Sequence, residues 1–225
     1  MMISHHEEII ETWSSHNSLD FDYFKRFEAP EFLEIFWSSE SRFRRTMEKY
    51  LDLTDTLEIA SGTGRHSAQI LNRCQTLTLL DTSSAAIAIA RERFREHPHV
   101  KAVHSIDGKT IPLAPSSYSA VFSFDAMVHF EPITIESYLN EIARVLSPKG
   151  KVLLHHSNYS ANPEANFKRN PHWRNFMTTD LMKHLASRAG LDIIEYQTFH
   201  WGPRRRFFQP KIDALTVLQH KAGNR

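Results

Sequence analysis

Cysteine is nearly absent from this chain: Cys74 is the single one in 225 residues. One thiol excludes an intrachain disulfide and a cysteine-based zinc cluster. Long apolar runs are missing too. The longest, AAIAIA at 85–90, lies between Ser84 and Arg91 and falls far short of the roughly 20 residues that a bilayer-spanning helix needs. The opening MMISHHEEIIETWSSHNSLD is acidic and has no uninterrupted apolar core, so it does not read as a secretory leader. Neither sign of charge is in excess. With 27 Lys and Arg against 26 Asp and Glu, the formal net charge is +1, and no overall field favours nucleic acid or an anionic membrane. These absences predict a soluble, cytoplasmic chain with no membrane span and no nucleic-acid partner; they leave the oligomeric state open.

Glycine is scarce as well, at 7 residues, yet Gly62 and Gly64 fall together in TLEIASGTGRHS, residues 56–67. A glycine-poor chain uses glycine where φ must be positive or where a Cβ would stand in the way. The stretch is therefore a tight structural corner or the floor of a ligand site.

What the chain does have, after its first 50 residues, is alternation. TLEIA (56–60), TLTLLD (76–81), VKAVHS (100–105), YSAVFSF (118–124), KVLLHH (151–156) and LDIIEYQTF (191–199) read as strands. RHSAQILNR, SSAAIAIARERFRE, TIESYLNEIARVL and TTDLMKHLASRAG, between them, read as helices, the last with a Thr/Asp cap and Gly190 as its stop. Such alternation implies an α/β fold with a mostly parallel sheet covered on both faces. DALTVLQH (213–220) has no helix before it and is expected to pair antiparallel with 191–199. Residues 1–50 are aromatic, amphipathic and helical, as in APEFLEIFWSSESRFRRTMEKYL (29–51). They form an N-terminal extension that packs on the sheet or acts as a lid, ahead of a main domain over 51–225.

Ligands of open parallel sheets bind outside the carboxyl ends of the strands. SGTG lies at that edge, but Ser67 stands where a dinucleotide fingerprint has its third glycine, and no G-K-[ST] follows. The order Glu58, Ala60, Gly62, Gly64 instead resembles the first motif of class I S-adenosylmethionine-dependent methyltransferases, with alanine in place of the family's first glycine. Asp81 ends the second strand 17 residues after Gly64, where an acid can accept two ribose hydroxyls; its alternative role is to cap the following helix. SIDGKTIPLAPSSYSAVFSF (105–124) is similar to the adenine-side segment, and EIARVLSPKGKVLLHH (141–156) to the late helix, turn and fifth strand. The resemblance covers about residues 55–200. It implies a Rossmann-like methyltransferase fold of seven strands with an antiparallel last one, S-adenosyl-L-methionine as cofactor, and Glu58, Ala60, Gly62, Gly64, Asp81, Thr82, Ile106, Asp107 and Phe124 around it. The glycines then keep Cβ atoms away from a cofactor that carries no phosphate.

The acceptor side has no [D/N]-P-P-[Y/F] motif; its place reads SFDAMVHF (123–130), which disfavours adenine methylation. Asp125 and His129 follow the strand there, and His129 is the candidate base, its alternative a packed or surface histidine. HHSNY (155–159) ends the next strand, where alternation lets one of His155 and His156 face the site; His156 is the second candidate. No second carboxylate completes an oxygen-rich magnesium site, so no metal is assigned. The connection 157–177 interleaves Tyr159 and Trp173 with Asn158 and Arg174; flat faces beside amides and guanidiniums suit a polyhydroxylated ring. Together with a weaker resemblance to sugar- and polysaccharide-modifying methyltransferases, this points to O-methylation of a sugar or glycan. The alternatives are a polyketide, quinone or phenol acceptor, a non-catalytic cofactor-binding module and, more distantly, an NAD-dependent oxidoreductase. PRRRFF (203–208) is a solvated turn or a phosphate contact.

Overall fold

The computed structural model describes residues 28–164, 174–200 and 211–223. Trp173 and the PRRRFF turn lie outside them. Among the described residues are seven strands: β1 (Asp55–Ile59), β2 (Thr76–Asp81), β3 (Val100–His104), β4 (Tyr118–Ser123), β5 (Leu146–Ser157), β6 (Leu191–Phe199) and β7 (Asp213–His220). They form one sheet in the order β3-β2-β1-β4-β5-β7-β6. The first five are mutually parallel, and β7 runs antiparallel to both β5 and β6. This is the mostly parallel sheet expected from the alternation, with the antiparallel last strand expected at 213–220.

The central strands are buried on both faces, which is why they read as nearly continuous apolar runs. On one face, α5 (Pro132–Val145) and α6 (Thr179–Arg188) place Tyr138, Ile142, Met182 and Leu185 against Leu57, Ile59 and Val152. Thr178 caps α6 by accepting the Leu181 N–H at 3.1 Å, and Gly190 ends the unit at φ +77°. On the other face, α4 (Ser84–Arg93) runs into Phe94, which packs with Leu77 and Leu79. Short α3 (Ser67–Ile70) follows the glycine turn.

The same second face receives α1 (Pro30–Trp37) and α2 (Arg42–Tyr50), which bury Phe36, Trp37, Phe43 and Met47. The stretch read as helical over 29–51 is thus two helices. They break between Trp37 and Arg42, where the Ser41 hydroxyl accepts the Arg44 N–H and starts the second. β5 is also longer than expected. A register shift opposite Tyr118 and Ala120 absorbs the Pro148–Gly150 stretch as an irregularity inside the strand, with no turn before it.

Strand order reverses at β1: β2 and β3 lie to one side of it, β4 and β5 to the other. The loops leaving β1 and β4 therefore diverge, and the crevice at their carboxyl ends is where an open α/β sheet holds its ligand. Among the described residues, no helix is long and apolar enough to cross a membrane.

Candidate active site

Three residues in the turn after β1 adopt left-handed backbone: Ala60 at φ +55°, Gly62 at +54° and Gly64 at +84°. Glycine takes that region freely, whereas a side-chain-bearing residue is strained there by about 1–2 kcal/mol. Ala60 therefore sits in a conformation that favours the glycine usual at this motif position. Across the crevice, Asp81 at the tip of β2 accepts the Gly62 N–H at 2.7 Å and the Ser83 N–H at 2.8 Å. The cap on α4 is Ser83, whose hydroxyl accepts the Ala86 N–H at 3.2 Å. Asp81 thus ties the glycine turn to β2. Burial lifts its carboxyl above the ordinary range, against the pull of the N–H groups of Ser83, Gly62 and Thr82 and of His104. A carboxylate has about four lone-pair sites, so these bonds leave room for a further donor.

Glu58 projects from β1 opposite to Leu57 and Ile59 and is buried. The Ser67 hydroxyl donates to it. Burial raises its pKa to about 8, with Ser67 and Arg65 opposing. Ser67, at the position of a dinucleotide enzyme's third glycine, is the partner of this acid. On the loop after β3, Ile106 is one of the most exposed apolar side chains, at 81%. Asp107 shapes the same loop: its carboxylate accepts the N–H groups of Lys109 at 3.0 Å and Thr110 at 2.8 Å, and the Thr110 hydroxyl at 2.6 Å. Burial would raise the Asp107 carboxyl, but these bonds prevail and bring it down to about 2.

After β4, Asp125 is another left-handed residue that carries a side chain, at φ +58°. Its carboxylate meets Arg65 Nη2 at 2.8 Å, across from the glycine turn. Its backbone N–H donates to His155 Nδ1 at 3.1 Å. His129, half-buried in the short turn Met127–His129, is held through its carbonyl, which accepts from Asn175 Nδ2 at 3.2 Å.

Three of the expected site residues are placed differently. Phe124 is enclosed among Phe36, Phe43, His66 and His155, its ring 3.9 Å from that of Phe43; it packs under the N-terminal helices. His156 is buried with Nδ1 on the Ser157 carbonyl at 2.8 Å and Nε2 on the Thr216 hydroxyl at 2.7 Å. Burial lowers its pKa to about 4, so it stays neutral as a core residue. Of the two histidines it is His155 that contacts the loop after β4. Arg174, expected in the acceptor wall, is buried and grips Asp213 with two bonds of 2.7 and 2.9 Å. Burial pushes the Asp213 carboxyl up, but His155 and Arg174 pull it below the usual range.

Asn158 is also bound within the fold, its amide donating to the Lys211 carbonyl at 2.8 Å and its oxygen accepting from Thr179 and Tyr196 at 3.3 and 3.4 Å. Tyr159 pairs with Phe176 in an isolated bridge, which pins the two ends of the long connection together. Among the described residues, no group of three or more His, Cys, Asp and Glu could hold a metal.

Arg65, His66 and Asp213 are the residues that sequence reasoning did not single out. The signal for the first two was a cation and an imidazole directly after the second glycine; nothing local marked Asp213.

The β1/β4 switch point is thus floored by a left-handed turn and edged by an acid at the tip of β2. Residues 56–150 match the family model described as a methyltransferase domain. A biotin biosynthesis bifunctional protein from Cellvibrio japonicus is 32% identical over 104 residues, which are 46% of this chain and 20% of that protein. The chain thus spans about a fifth of the curated relative it matches. An S-adenosylmethionine-dependent methyltransferase from Leishmania major has the same fold at a TM-score of 0.71 and 13% identity, covering 96% of this chain and 83% of the other. Geranyl diphosphate C-methyltransferase from Streptomyces coelicolor, solved with S-adenosyl-L-homocysteine, superposes at 0.68 with 12% identity over 97% and 98% of the two chains.

Proposed function

We propose that this protein transfers the methyl group of S-adenosylmethionine to a hydroxyl of a sugar or glycan. The observation that carries the reading is the pair of facing loops: a left-handed turn tied to Asp81 on one side, and polar Asp125 and His129 on the other. Glu58, Gly62, Gly64, Asp81, Ile106 and Asp107 hold the cofactor, Asp81 through the ribose hydroxyls and Ile106 against the adenine ring. Bound there, the cofactor supplies a methyl group already activated on a sulfonium. The chain's task is then alignment of the acceptor for in-line displacement. A hydroxyl also needs its proton removed as the new C–O bond forms, and the His129 imidazole accepts it. Asp125, paired with Arg65, orients the acceptor edge.

Tyr159, at the start of the connection after β5, offers the flat face that favours a polyhydroxylated ring. The main domain, 51–225, carries the chemistry and residues 1–50 the extension. A labelled-methyl assay against sugar nucleotides, extracted glycans and phenols tests the acceptor class. Label in the sugar fractions, cut about 10²–10⁴-fold by His129→Ala with cofactor affinity kept, is the expected result. Label in phenols alone overturns the sugar assignment, and cofactor binding without transfer to any acceptor would make the chain a binding module.

A further inference from the structure

The turn from Ala60 to Gly64 places three left-handed residues in five positions. Backbone of this kind persists where its surroundings over-determine it. Part of the support is internal: the Ser61 N–H donates to the Leu80 carbonyl at 3.1 Å, and the Gly64 N–H to the Ser61 carbonyl at 3.0 Å. The rest reaches in from the N-terminal arm, residues 28–50. Glu28 accepts the Thr63 hydroxyl at 2.9 Å, between the two glycines, and also receives the Arg93 guanidinium at the end of α4. Trp37 Nε1 donates to His66 Nδ1 at 3.0 Å, with both side chains buried. Phe36, Phe43 and Phe124 close around the same imidazole.

Counting donors at His66 gives the Trp37 bond a direction. Burial, with Arg65 and His155 beside it, keeps His66 neutral, its pKa well below the ordinary value. A neutral imidazole offers one acceptor nitrogen, yet Trp37 Nε1 and Arg65 Nε, 3.1 Å from His66 Nε2, are both donors. The indole has a single donor and it is enclosed, so leaving it unbonded costs about 1–3 kcal/mol. Trp37 therefore takes Nδ1, and the other ring nitrogen lies against the Arg65 side chain whose Nη2 pairs with Asp125.

We propose that Glu28 and Trp37 are positioning residues of the cofactor site: the arm sets the glycine turn from outside, Glu28 at Thr63 and Trp37 through His66 at Arg65. The proposal rests on the reading of this turn as the seat of the cofactor's methionine end. It makes the arm a component of the donor site, in addition to its packing on the sheet.

Calorimetric titration of the full chain with S-adenosylhomocysteine, paired with thermal unfolding, tests it. Trp37→Phe keeps the packing and deletes the N–H; Glu28→Ala deletes the acceptor. Each is expected to weaken binding about five- to twentyfold, the equivalent of one hydrogen bond, at a temperature where both remain folded. Glu28→Gln, which retains an acceptor for Thr63, recovers most of the affinity. Arg45→Ala, which removes an exposed pair with Glu40 on the same arm, leaves it unchanged. Wild-type affinity in both Trp37→Phe and Glu28→Ala, with a lowered melting temperature alone, overturns the proposal and leaves the arm as packing. If Trp37→Phe does not fold, Glu28→Ala and Glu28→Gln decide, because Glu28 is partly exposed. A wild-type chain that does not bind the probe overturns the cofactor reading itself, and that failure is visible before any variant is compared.

Discussion

Gly64 and Ala60 occupy equivalent left-handed positions in one turn, and exchanging their residue types should move stability in opposite directions. In Gly64→Ala the new Cβ would stand 2.6 Å from Phe94 Cε2 and 2.7 Å from Leu79 Cδ2, at φ +84°. The backbone penalty is about 1–2 kcal/mol, and overfilling a packed site adds about 1–3 kcal/mol. The stiffer unfolded chain returns about 0.4–1 kcal/mol. The expected net loss is about 1–5 kcal/mol. Ala60→Gly relieves the same backbone penalty at φ +55°, but it loosens the unfolded chain and gives up part of a half-buried methyl. Its net effect should be a gain of between about zero and 1 kcal/mol. Equilibrium urea unfolding reads both, as midpoint shifts at constant m-value; in a chain of this size about 1 kcal/mol moves the melting temperature by about 2–4 °C. Gly64→Ala within about 0.5 kcal/mol of wild type, or Ala60→Gly clearly destabilised, would refute the strain argument.

Other outcomes follow from the same geometry. Asp81→Ala should weaken S-adenosylhomocysteine binding by about 1.5–3 kcal/mol, measured by calorimetry; an unchanged affinity in the folded variant removes Asp81 from the site. Arg174→Ala strands the buried Asp213 carboxylate and should destabilise the fold by about 3–5 kcal/mol, with partial recovery on adding Asp213→Asn; denaturation with no loss would show that the pair contributes nothing. Glu58 is held near pKa 8 by burial, so the folded chain keeps a proton that the unfolded chain releases above its ordinary value of 4.5. That stability is complete at low pH and is lost as pH rises toward about 8. Glu58→Gln should therefore be more stable than wild type at about pH 8 and close to it at about pH 5, and parallel pH profiles would contradict a neutral Glu58.

The strands were legible because Leu77, Leu79 and Leu80, or Val121 and Phe122, are buried from both sides and so appear as unbroken apolar runs. The turn after β1 was legible because a chain with few glycines concentrated two there. The length of β5 was not, because whether Pro148–Gly150 breaks a strand or is absorbed into it depends on Tyr118 in the neighbouring strand. The site's polar pairs were hidden for a similar reason. Arg65 and Asp125 are 60 positions apart, Arg174 and Asp213 39, Trp37 and His66 29. An arginine in a long connection has the same local sequence whether it faces a ligand or a buried carboxylate, so Arg174 read as an acceptor contact. Phe124 and His156 were misplaced by face: each lies at a strand end where one step of alternation separates cleft from core.

The insertion of β7 between β5 and β6 has a consequence for the order of assembly. β5 and β6 leave the ribosome first, yet they share no ladder in the finished sheet. Until β7 emerges, the Val152–Leu154 edge of β5 has no partner on that side, and such an open apolar edge can recruit another chain. Pairing of β7 with β5 brings Asp213 beside Ser157, and through Arg174 it draws in the connection that also holds Val128 and His129. The loop that carries His129 would thus be assembled late in synthesis, after the glycine turn and its strands are in place. Nascent chains stalled before β7 should show protection of β1, β2 and β4 while residues 124–129 remain open to proteolysis.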